Sequence, residues 1–148
     1  MTKTLNLDTA LDITRKHSYE GSIDDIVTLS LTISRSKKVF DKSIYKIFTE
    51  KSNINPKIYS NLKKIGDTMD DLPIDAREEV CRSFPPHYRT IYSLCSLRPD
   101  EIQIAVKKKS ITKDMSYRES EYLVKQIRFT SKLVTETDKG RWSKKQEH

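Results

Sequence analysis

Four residues, Lys57, Ser60, Asn61 and Lys64, have the types and the spacing to do chemistry on a nucleic acid. Separated by three, one and three positions, they fall on one continuous face of a helix. Lysine reaches guanine or a phosphate, asparagine can pair with two atoms of adenine, and serine can serve either. Lys63, Tyr59 and Lys51 flank this set and suit phosphate oxygens. A lysine-rich helix face is in general only a solvated surface, so the spacing alone decides little. The run from Lys51 to Gly66 decides more, because it holds no Asp or Glu in a chain with 21 of them in 148 residues.

The elements that must position this face can be read on either side of it. Asp41 caps a helix expected to turn Ile44, Ile47 and Phe48 inward and Lys42, Lys46 and Glu50 outward. That helix should stop near Ser52-Asn53. Asn55-Pro56 then reads as an N-cap followed by proline at the first helical position. The helix it opens buries Ile58, Leu62, Ile65 and Met69, with Gly66 near its end. Two short helices joined by so few residues have the proportions of a helix-turn-helix, here 41–69.

Upstream, Leu5, Leu7, Leu11 and Ile13 form a weak amphipathic pattern. Ser22 with Asp24 and Asp25 starts a helix carrying apolar residues from Ile23 to Ile33. Downstream, Asp75 caps a short helix to Phe84, and Pro85-Pro86 breaks it. The next helix carries Tyr88, Ile91, Tyr92 and Cys95, and Pro99-Asp100-Glu101 opens another that ends on Lys107-Lys108-Lys109. Ser116 and Glu119 make a capping box for a helix through Leu123, Val124 and Ile127. The fold expected is all-α. It is a compact bundle of about seven short helices in one domain, 1–134, with bracing helices over 75–134 and a flexible basic tail over 135–148.

The charge of this chain is unevenly placed. Lys and Arg number 28, giving a net charge of +7 and a pI near 9.3. By segment the net is −1 for Met1–Ser36, +5 for Lys37–Met69, −3 for Asp70–Glu101 and +6 for Ile102–His148. Two basic blocks separated by an acidic one fit a polyanion binder whose basic faces do the electrostatic work. No apolar run is long enough for a bilayer span, and the N-terminus lacks the apolar core of a signal peptide. With only two cysteines there is no disulfide framework. A cytoplasmic protein is expected, in the host cytoplasm if a phage encodes it.

The segment from Phe48 to Gly66, FTEKSNINPKIYSNLKKIG, resembles the helix-turn-helix of ParB/KorB-type DNA-binding proteins of phages and plasmids. Leu72-Pro73, Tyr92-Ser93-Leu94 and Ile111-Thr112 resemble the helical part that follows it, so the likeness runs from Asp41 to Phe129. The resemblance implies that the second helix reads the major groove, with Lys57, Ser60, Asn61 and Lys64 as reading residues, while later helices brace it. The chain departs from the family in having no nucleotide-binding box. A DNA-binding adaptor or transcriptional regulator is therefore implied, and a nucleotide-driven clamp is not.

Other constellations support no chemistry. Cys81, His87 and Cys95 have a spacing that matches no zinc site. The acid pairs Asp24-Asp25, Asp70-Asp71 and Glu78-Glu79 are adjacent residues that do not face one another on a helix. Tyr88, Arg89 and Tyr92 have the types of a base-stacking set, but Ile91 and Cys95 beside them favour core packing. No catalytic residue, metal or cofactor is expected, and the chain is not expected to be an enzyme. The expected partner is double-stranded DNA, bound by a homodimer, because one short reading helix rarely supplies enough contacts. Lys107, Lys108, Lys109 and the tail from Lys132 would add phosphate contacts. The alternative is a regulator that occupies a host enzyme such as RNA polymerase through the acidic middle segment.

Overall fold

A computed structural model of the chain describes residues 5–130. Among them are eight helices and no strand, in the order α1 (Leu7–Lys16), α2 (Ile23–Val39), α3 (Lys42–Ser52), α4 (Pro56–Asp70), α5 (Ile74–Ser83), α6 (Tyr88–Leu94), α7 (Pro99–Lys107) and α8 (117–130). The all-α expectation holds. The expected tail lies outside the described residues.

Helix α2, 17 residues long, is the axis of the bundle. Ile26, Leu29 and Ile33 are fully buried along it, and so are Ser30, Ser34 and Ser36. The serines are there because α4 comes very close. A Cβ added to Gly66 would lie 2.0 Å from the Ser30 carbonyl oxygen and 2.8 Å from the Ser34 Cβ, so only glycine fits. Gly66 is thus a close contact within the last turns of α4. Polar ties extend the seam. The Ser34 hydroxyl donates to Asp67, while Arg35 and Lys38 reach the Asp70 carboxylate at 3.2 and 3.0 Å. α6 packs on α4 and α7 on α5. Phe84, Leu62, Ile65, Met69, Ile91, Leu94 and Ile102 complete the core.

The caps follow the sequence closely. Ser22 and Asp25 form a capping box, and the Asp25 carboxylate also meets His17 Nδ1 at 2.7 Å, fastening the α1–α2 corner. Asp41 accepts from the Ile44 N–H, and Asn55 from the Lys57 N–H at 2.9 Å with Pro56 beginning α4. Ser116 and Glu119 exchange two hydrogen bonds of 3.1 Å at the start of α8, which Arg128 ties back to the Ser96 carbonyl.

Three expectations are corrected. Asp75 is not the cap of α5. Pro73 occupies that position and Asp75 stands in the first turn, where an acid favours the positive end of the helix dipole. Ile44 and Ile47 are not core residues, being 37% and 39% exposed. At about 100° per residue the aromatic side chains Tyr45 and Phe48 set the inward direction of α3, which swings the two isoleucines outward. Tyr92 is likewise exposed, since Ile91, Leu94 and Cys95 already fill the inner face of α6.

Candidate nucleic-acid interface

α3 and α4 are joined by three residues, Asn53, Ile54 and Asn55. Asn53 ends α3 in the left-handed conformation, φ 54°, a backbone state asparagine tolerates better than most residues. The two helices are then clamped by aromatic rings. Phe48 is fully buried and meets the rings of Tyr45 and Tyr59, whose hydroxyls bond each other at 2.7 Å, Tyr59 donating. Burial and that bond push the Tyr59 phenol above its ordinary pKa. Tyr59, expected beside a phosphate, is placed by the structure as the brace between α3 and α4.

With the inner face of α4 held this way, its outer face carries Lys57, Ser60 and Lys64 exposed and Asn61 half-buried. Lys57 and Asn61 lie in a groove of about 570 Å³ between the first turns of α4, α6 and the start of α8. The opposite wall supplies Arg89, Tyr92 and Tyr117. The Arg89 guanidinium stands over the Tyr117 ring, 5.0 Å from its centroid, an arrangement that holds the charge in place without neutralising it. The structure therefore brings Lys57 and Asn61 together with a second cation, Arg89, from another helix. Ser60 and Lys64 sit beside this groove on the same helix face.

The remaining expected residues lie elsewhere. Lys63 is half-buried and bound to Asp67 at 3.0 Å, so its charge serves the α2–α4 seam. Lys51 is exposed near the end of α3. Lys107, Lys108 and Lys109 are exposed where α7 ends. They line no groove with α4, since Lys107 borders the cleft between α5 and α7, and Lys108 that between α7 and α8. The sequence reading missed Arg89 and Tyr117 as members of the face. Arg89 had a signal, the Tyr88-Arg89-Tyr92 set, which helical spacing alone assigned to the core.

Four of the seven acids in the acidic block have internal partners. Asp70 takes Arg35 and Lys38, Glu79 takes Arg82, and Asp100 and Glu101 both meet Arg98. Hydrogen bonding from Lys38 leads the causes that hold the Asp70 carboxyl below its ordinary pKa. Asp67 is pushed up by burial, but hydrogen bonds from Ser34 and Lys63 outweigh this and hold it low as well. Among the described residues no acid lines the α4–α6 groove.

Neither thiol is activated. Burial pushes Cys81 up to about 11, with Asp24 adding to the effect, and pushes Cys95 up to about 12, so both are protonated at neutral pH. No group of three or more His, Cys, Asp or Glu among the described residues could hold a metal ion, and none of their helices is long and apolar enough to cross a membrane. No protein family, curated protein or solved structure matches the chain.

Proposed function

We propose that this protein binds double-stranded DNA through α3 and α4, as a homodimeric, ParB/KorB-like regulator or adaptor of a phage or plasmid, acting in the cytoplasm and without enzymatic activity. One observation carries the reading. The acid-free run from Lys51 to Gly66 folds so that Lys57 and Asn61 share a groove with Arg89, while Ser60 and Lys64 extend the same polar face. Cations held around an asparagine on the first turns of a second helix are what major-groove reading demands. The three-residue turn and the Tyr45–Tyr59 brace fix how α4 is presented. Lys51 and the cluster Lys107, Lys108 and Lys109 would meet phosphates farther out.

The test is fluorescence anisotropy of the full chain on labelled, mixed genomic fragments at rising salt. Binding should be present at low salt and fall steeply towards physiological salt, as counterion release requires. Lys57→Glu with Lys64→Glu should abolish it while leaving the helical circular dichroism unchanged. Absence of binding at low salt would end the DNA reading.

A second reading rests on α5. There Asp75 and Glu78 are exposed beside Ile74, which is 66% exposed, and Asp71 is exposed just before them. Among the described residues these acids of the block form no ion pair, and they suit contact with a basic protein surface, such as that of a host enzyme. Capture of a stoichiometric partner from nuclease-treated lysate, lost on Asp75→Lys with Glu78→Lys, would favour it.

A further inference from the structure

Ile104 is one of the large apolar side chains that the fold leaves exposed among the described residues. It stands on α7, 52% exposed, as a ridge between two apolar clefts. One, of about 630 Å³, lies between α7 and α8 and is lined by Ala105, Leu123, Ile127 and Phe129, the last 65% exposed. The other, of about 640 Å³, lies between α5 and α7 over Ala76, Val80 and Val106. Neither cleft shares a residue with the α4–α6 groove. A protruding knob with a hole on each side is complementary to a copy of itself, because a two-fold axis gives every contact twice.

The charges around these clefts identify the occupant. Most of this +7 chain repels a second copy, but here acid and base alternate. At the α7–α8 cleft Arg98 pairs with Asp100 and Glu101 of its own chain while Lys108 forms no ion pair with a described residue, and at the α5–α7 cleft Glu79 pairs with Arg82 while Lys107 and Asp75 form none. A polyanion or a polycation would meet its own sign at this rim. A second copy, turned over, sets the lysines at the end of one α7 against the carboxylates of its partner's α5. We infer that the α5–α7–α8 face is the homodimer interface, each Ile104 seated in the partner's cleft against Phe129. The inference rests on the DNA-binding reading for its purpose, which is to offer two α4 helices to paired half-sites.

Sedimentation equilibrium of the full chain without nucleic acid tests it. The mass should be twice 17.3 kDa. Ile104→Glu and Phe129→Glu should each return it to the single-chain value with unchanged helix content, since both positions are exposed. Tyr122→Glu, on α8 but outside the cleft, should leave the dimer intact. A wild-type chain that sediments as one copy overturns the proposal, and so does a folded Ile104→Glu variant that remains a dimer. Because mass is read without DNA, a dimer that binds no genomic fragment would sink the DNA reading and leave the interface standing.

Discussion

The two halves of α4 are one continuous helix put to opposite uses. Its C-terminal half is sealed against α2 by Gly66 lying on the Ser30 carbonyl, by Ser34 on Asp67, and by Arg35 and Lys38 on Asp70. Among the described residues its N-terminal half has no such ties on its outer face, where Lys57, Ser60 and Asn61, with Lys64 just past the midpoint, meet solvent and the Arg89 groove. The contrast separates the anchored part of α4 from the part whose outer face is open to solvent. The anchor at Gly66 lies about half a turn from Lys64 and about two and a half turns from Lys57.

The sharpest way to break the comparison is to attack the anchor. Gly66→Ala places a methyl 2.0 Å from a backbone oxygen, and neither helix can yield locally because both are fully buried at that point. The loss should be about 3 kcal/mol or more, at the upper end for overpacking, read as a fall in the urea midpoint. DNA binding should disappear together with the fold. A variant with wild-type stability would show that the close crossing of α2 and α4 is not what holds the reading helix.

Attacking the open half should do the reverse. Arg89→Ala removes a cation and its contact with Tyr117 at an exposed position, so thermal stability should change by roughly 0.5 kcal/mol or less. Affinity for genomic fragments should drop about tenfold at low salt, which corresponds to about 1.4 kcal/mol, and the salt slope should shrink by about one. Unchanged affinity would confine the interface to α4 itself.

Much of this division was legible in the sequence, and the failures have a common cause. Asp41, Asn55-Pro56, Ser22 and Ser116 marked helix starts correctly because capping is local, depending on residues within one turn. The buried stripe Leu62, Ile65 and Met69 was legible because it keeps strict helical spacing. What could not be read locally was which of two candidate faces a short helix turns inward. For α3 the aromatic residues outcompeted Ile44 and Ile47, and in α6 the inner face was full without Tyr92. Arg89 failed for the same reason, since nothing in its own helix says that α4 and the start of α8 stand opposite.

The seam also gives the comparison a pH dependence. Asp70 and Asp67 are held low in the folded chain, so the folded state favours their ionised form more than the unfolded state does. Their contribution is present above the ordinary carboxyl range, near pH 4, and is lost as pH falls through the lower folded values. Acid unfolding should therefore loosen the α2–α4 seam. Asp70→Asn should lower stability at pH 7 and flatten the acid limb of the stability profile below about pH 4. An acid limb as steep as that of the wild type would assign the dependence to another pair, His17–Asp25 foremost, because Asp25 is held low chiefly by its bond to His17.

The smallest expected effect sits in the lysine cluster that ends α7. Lys109 has φ 60°, left-handed for a residue with a Cβ, and closes the helix through Lys109 N–H to Val106 and Ser110 N–H to the Ala105 carbonyl at 2.9 Å. Glycine is the usual residue at this position. Lys109→Gly relieves the steric cost but adds chain entropy to the unfolded state, so the net gain should be about 0.5–1 kcal/mol. The same change removes one positive charge from a cluster that shares no groove with α4. Stability should rise while DNA affinity falls only slightly, the opposite of Arg89→Ala. A large affinity loss from Lys109→Gly would instead place the end of α7 inside the interface and extend the open region well beyond the first turns of α4.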